Sequence, residues 1–130
     1  MSKPRWKWLS KSALLAIHEE HLAEHGGIGG LRDEALLESA LARPRNLVAC
    51  GKPGIFELAA SYGFGIVRNH PFLDGNKRTE FLACAIFLHI NGYALDAEEA
   101  DAARAFLDLA DGKLSEKALA LWLSANSAKS

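Results

Sequence analysis

Two stretches of helical length, Ile55 to Asn69 and Asn76 to Asn91, are apolar over most of their circumference and stand only six residues apart. In the first, Ile55, Leu58, Ala59, Tyr62 and Ile66 make one stripe, and Phe56, Ala60, Gly63 and Val67 make another on an adjoining face. The second carries the unbroken apolar run Phe81 to Leu88. A helix that is apolar nearly all round belongs in a core. Few segments of the chain alternate with period two or concentrate β-branched residues, so the expected fold class is all-α.

Punctuation divides the rest into helical lengths. Ser10 or Ser12 caps a segment to about His25, which the glycines at 26, 27, 29 and 30 end. Asp33 is the expected N-cap of a second helix with Leu36, Leu37, Ala40 and Leu41 on one face, stopped by Pro44. Residues 44–54 then read as a loop, with room for one short strand or hairpin. Asn91-Gly92 is a stop signal. Asp96 is the expected cap of an acidic amphipathic helix ending near Asp111-Gly112, and Ser115 with Glu116 starts a final helix to about Ala125.

Composition narrows the class. A chain of 130 residues suits one domain, expected over residues 1–130. Fifteen Lys+Arg against sixteen Asp+Glu leave a formal charge of −1, which argues against direct nucleic-acid or membrane binding. Cys50 and Cys84 form no CxxC pair, which excludes a disulfide scaffold or cysteine zinc site and fits a reducing cytoplasm. The N-terminus is basic (Lys3, Arg5, Lys7, Lys11), but no apolar signal-peptide core follows, and no run approaches the about 20 apolar residues of a bilayer-spanning helix.

One stretch departs from this background: His70-Pro71-Phe72-Leu73-Asp74-Gly75-Asn76-Lys77-Arg78. It is pinned between the two core helices, and Phe72 suits an anchor holding it from inside. Gly75 and Asn76 precede a first helical turn, whose free N–H groups and positive dipole end make an anion site. Lys77 and Arg78 add full charges, and Arg can fork two phosphate oxygens. Asp74 is a hard oxygen ligand suited to Mg²⁺. His70 titrates in the range needed to take a proton from an attacking hydroxyl. Each residue has a structural alternative: a core histidine, an Asp-Gly turn, a solvated cationic turn. Two adjacent cations at a helix start oppose the dipole, however, at up to about 1 kcal/mol unless an anion sits there. As one constellation they point to phosphoryl or nucleotidyl transfer.

HPFLDGNKR resembles the signature of the Fic/Doc superfamily, and in detail its Doc (death-on-curing) branch, which carries HxFx(D/N)xNKR. The Fic form, HPFx(D/E)GNGRxxR, differs at Lys77, where it has Gly, and at Phe81, where it has a second Arg. The stretch Gly26–Arg43 and the NGY after the fourth helix extend the likeness. The resemblance implies a compact bundle of about six helices with a short flap loop or hairpin, and ATP with Mg²⁺. It implies His70 as base, Asp74 as metal ligand, and Gly75, Asn76, Lys77 and Arg78 as nucleotide and phosphate binders. It further implies a cytoplasmic toxin that phosphorylates a protein hydroxyl, with translation elongation factor Tu as target and an antitoxin whose segment folds into a groove. Fic-type AMP transfer and a catalytically silent helical binding module are the alternatives.

Arg68, just before the motif, is either a further phosphate ligand or a solvated side chain. The 44–54 loop lies where the family has its flap. The HGGIGG run lacks the GK(S/T) ending of a phosphate loop and follows no strand, so it reads as a flexible turn between helices. His18, His21 and His25 have metal-ligand spacing but no obvious carboxylate or Cys partner, and read as a solvated face. Trp6, Trp8 and Trp122 are expected in the core or lining a groove. No (S/T)xxxE element is found, so an inhibitory helix in cis is not expected and restraint falls to the separate antitoxin.

Overall fold

The computed structural model describes residues 6–130; Lys3 and Arg5 of the basic N-terminus lie outside the described residues. Three helices start on side-chain caps read from the sequence. Ser10 Oγ accepts from Ala13 N–H at 3.1 Å to open α1 (Lys11–His25). Asp33 Oδ1 accepts from Leu36 N–H at 3.1 Å to open α2 (Glu34–Cys50). Next, α3 (Ile55–Asn69) and α4 (Asn76–Ile90) match the two apolar stretches. They are followed by β1 (Tyr93–Leu95), α5 (Glu99–Ala110), α6 (Glu116–Ala125, capped by Ser115) and β2 (Ser127–Lys129).

Three expectations fail locally. Pro44 does not stop α2, which runs on to Cys50. Proline inside a helix costs about 3 kcal/mol, because it removes a hydrogen bond to the carbonyl four residues back. Here Pro44 is fully buried on the same face as Leu37 and Ala40, and that packing outweighs the lost bond. Residues 44–54 are therefore not one loop: only 51–54 connect α2 to α3, with no strand. The hairpin-like pair lies elsewhere, where β1 and β2 pair antiparallel with Tyr93 opposite Lys129. Asp96 does not cap α5; its N–H donates to Asn126 O (2.8 Å), extending that pairing, and Glu98 occupies the cap position without a side-chain bond.

Helix α3 is the hub, packed against α2, α4 and α6. Close approach depends on glycine. A Cβ at Gly65 would stand 3.2 Å from Ala40 Cα, and one at Gly63 would stand 2.7 Å from Cys84 Sγ. Leu58, Tyr62, Ile66, Phe72, Phe87, Leu88, Leu119 and Leu123 are fully buried together. Trp8 and Trp122 pack half-buried on Phe87 and Phe106. Among the described residues, no helix is long and apolar enough to cross a membrane.

Candidate active site at the start of α4

The chain leaves α3 at His70, the one non-glycine described residue with positive φ (48°). Pro71 discourages continuation of the helix, and a left-handed residue costs about 1 to 3 kcal/mol unless its surroundings fix it. The surroundings do. Pro71 O accepts from Arg32 N–H (2.7 Å) and Asp33 N–H (3.2 Å), and Leu73 N–H donates to Gly30 O. Arg32 donates from Nε to His70 O and from Nη2 to Asn69 O, both at 2.7 Å. Leu31 bridges to Phe72. The glycine run expected as a flexible turn is thus laced along the motif loop.

Phe72 is fully buried beneath the loop. Its ring stacks on His18 at 3.8 Å. Asn76 is also buried, and its side chain is spent on this anchor: Oδ1 accepts from Phe72 N–H (3.1 Å) and Nδ2 donates to Phe72 O (2.8 Å). Asn76 therefore clamps the loop with its side chain.

Gly75 opens α4 at φ 78° without a side-chain cap. The first intrahelical bond is Thr79 N–H to Gly75 O, which leaves the N–H groups of Asn76, Lys77 and Arg78 without an intrahelical acceptor. Lys77 and Arg78 are exposed beside them, with Arg78 over the Phe81 ring at 5.9 Å. Asp74 Oδ1 accepts from Gly75 N–H (2.8 Å) and Oδ2 from Ile28 N–H (3.2 Å). Those two N–H groups, Gly75's first, hold the carboxyl below its ordinary range, so it is ionised at neutral pH. Each oxygen keeps a free lone pair, which fits Mg²⁺ held by one carboxylate with substrate phosphates. No group of three metal-ligating side chains occurs among the described residues. The His70 ring is exposed and makes no hydrogen bond among the described residues.

Among the described residues no hydrogen bond brings Arg68 to the loop; its guanidinium lies over Phe64 at 5.6 Å. A cleft of about 600 Å³ opens between α4 and α5, lined by Lys77, Arg78, Phe81, Ala102, Phe106 and Leu107 among others.

Sequence reading missed three contributors. His18 is buried, not part of a solvated face, and its Nε2 lies 2.6 Å from Asp74 O. The signal was there, since His18 continues the stripe of buried Leu14 one turn on. His21 is half-buried beside it, and burial, then the neighbouring His25 and Arg78, lower its pKa. Glu80, inside the apolar helix α4, is 2% exposed with Oε2 unpartnered among the described residues. Burial pushes its carboxyl up to about 8 against the opposing pull of Lys77. It is protonated at neutral pH, leaving the Lys77 charge unspent.

The sequence profile of the Fic/DOC family matches residues 8–88, which include the whole loop. Over 75 residues the chain is 43% identical to "Toxin Doc" of Mycolicibacterium smegmatis, covering 56% of this chain and 58% of that protein. Over 85 residues it is 33% identical to "Protein kinase doc" of Escherichia phage P1, covering 65% of this chain and 68% of that one.

Proposed function

The chain belongs to the Fic/DOC family, and from that premise we propose that it is a Doc-like toxin kinase moving the γ-phosphoryl group of ATP to a protein hydroxyl. The observation that carries this reading is the grouping at the start of α4: an ionised Asp74, three backbone N–H groups without intrahelical acceptors, two exposed cations and an exposed histidine. The names of the two relatives, one a toxin and one a protein kinase, support it.

The residues divide the work as follows. His70 takes the proton of the acceptor hydroxyl as it attacks the γ-phosphorus; the bond from that phosphorus to the β,γ-bridging oxygen breaks and ADP departs. The backbone N–H groups of residues 76–78, with Lys77 and Arg78, bind the phosphate oxygens and favour the charge that builds on them. Asp74 would hold Mg²⁺, which when bound neutralises phosphate charge. Phe72 and Asn76 keep the loop in register. AMP transfer is not favoured: at position 81, where the Fic pattern has its second Arg, Phe81 packs edge-on against Phe106 at 5.7 Å.

The proposed setting is the cytoplasm, with translation elongation factor Tu as target and an antitoxin as restraint. The α4/α5 cleft, apolar and edged by Lys77 and Arg78 on one side and Glu99 on the other, suits an amphipathic antitoxin segment. Bound there, such a segment covers the cations that hold ATP. The test is incubation with Mg²⁺ and a bacterial extract, using ATP labelled at either the γ or the α phosphate. Label is expected on protein from γ alone, and His70→Ala abolishes it. Label from α, or transfer that survives His70→Ala, contradicts the reading.

A further inference from the structure

His18 comes from α1, far in sequence from the loop, yet it is 4% exposed and built into it. Its ring lies on Phe72 at 3.8 Å and 14° between planes. Its Nε2 is 2.6 Å from the Asp74 carbonyl oxygen. A carbonyl only accepts, so Nε2 carries the proton and donates. The Asp74–Gly75 peptide is trans and planar, so fixing its C=O fixes the Gly75 N–H on the opposite edge. That N–H donates to Asp74 Oδ1. The aim of the carboxylate is thereby tied to α1.

The neighbouring backbone is fitted to this contact. At Gly75, φ is +78°, and a Cβ would stand 3.3 Å from both His18 Nε2 and His21 Cδ2. At Gly27, a Cβ would stand 2.8 Å from Asp74 Oδ2. Packing alone needs only the stacked ring; it needs no donor aimed at a loop carbonyl.

Resting on the kinase reading above, we infer that His18 is a positioning residue for phosphoryl transfer: its Nε2–H fixes the Asp74–Gly75 peptide, and through it the Asp74 carboxylate and the entrance to the first turn of α4.

Two substitutions separate ring from donor. His18→Phe keeps the stack and loses the donor; His18→Gln keeps an amide N–H of similar reach and loses the ring. The measurements are amide hydrogen exchange by NMR and steady-state γ-phosphoryl transfer. In His18→Phe, exchange at Gly75 and Ile28 accelerates while Leu58 and Phe87 in the core keep the parent's rates. Its kcat falls about 10- to 100-fold with KM for ATP near the parent's. His18→Gln recovers most of both losses. Parent-like exchange at Gly75 and Ile28 in His18→Phe, or a His18→Gln as impaired as His18→Phe, overturns the inference. Should His18→Phe not fold, His18→Gln decides alone: retained protection supports the inference and lost protection contradicts it. If the parent itself transfers no phosphoryl group, the kinase reading fails, and the exchange rates still decide whether His18 sets the Asp74–Gly75 peptide.

Discussion

At the scale of single residues, the site is held by side chains whose polar atoms point at backbone. Asn76 spends both ends of its amide on Phe72, and Asp74 is aimed by two N–H groups. Asn76→Ala leaves the buried Phe72 N–H and C=O unpaired, and is expected to cost about 1 to 3 kcal/mol in urea denaturation. Glu80 is the exception, a buried acid with an oxygen unpartnered among the described residues. Its carboxyl ionises at the ordinary 4.5 when unfolded and at about 8 when folded. Between those values the unfolded chain has released a proton that the folded chain retains. Stability is therefore undiminished below 4.5 and falls as pH rises towards 8, by several kcal/mol at about 1.4 kcal/mol per unit. Glu80→Met removes that fall. The stability difference between variant and parent is expected to widen from pH 5 to pH 7.5; parallel pH profiles would refute the assignment. Of these residues, His70, Phe72, Asp74 and Asn76 were legible as a motif. Glu80 was not, because one acid in an apolar helix does not announce which way it faces.

Among elements, α3 and α4 were the readable part. Their apolar circumference allows only burial, and both helices begin and end within a residue or two of the expected positions. Pro44 misled because a local rule met a tertiary contact: its burial against the core offsets the bond it removes. The glycine run misled in the opposite sense. Its flexibility is real in an isolated chain, but here the Gly30 carbonyl and the Ile28 N–H pair with the motif loop. Gly65→Ala drives a methyl toward Ala40 Cα at 3.2 Å and should cost about 1 to 3 kcal/mol in thermal unfolding by parting α2 from α3, with kcat little changed below the transition. Gly27→Ala combines φ +131° with a 2.8 Å approach to Asp74 Oδ2, so it should lower kcat more than it lowers the unfolding midpoint. The reverse pattern would mean that the glycine strap serves the fold and not the site.

Over the whole molecule, near-neutrality conceals a separation of charge. Lys77 and Arg78 stand at the start of α4, while Glu98, Glu99 and Asp101 gather at the start of α5, with Glu99 across the cleft that both helices line. Sequence totals hide such a pattern, since a sum carries no position. The cationic side is where the proposed phosphate site lies, and the central claim is that this site moves a phosphoryl group. Intact-mass spectrometry of purified translation elongation factor Tu, after incubation with this protein and Mg-ATP, tests it directly. A mass gain of one HPO₃ is expected, and His70→Ala does not produce it. A gain of one AMP unit, or no gain while the factor is intact and the enzyme folded, would contradict it.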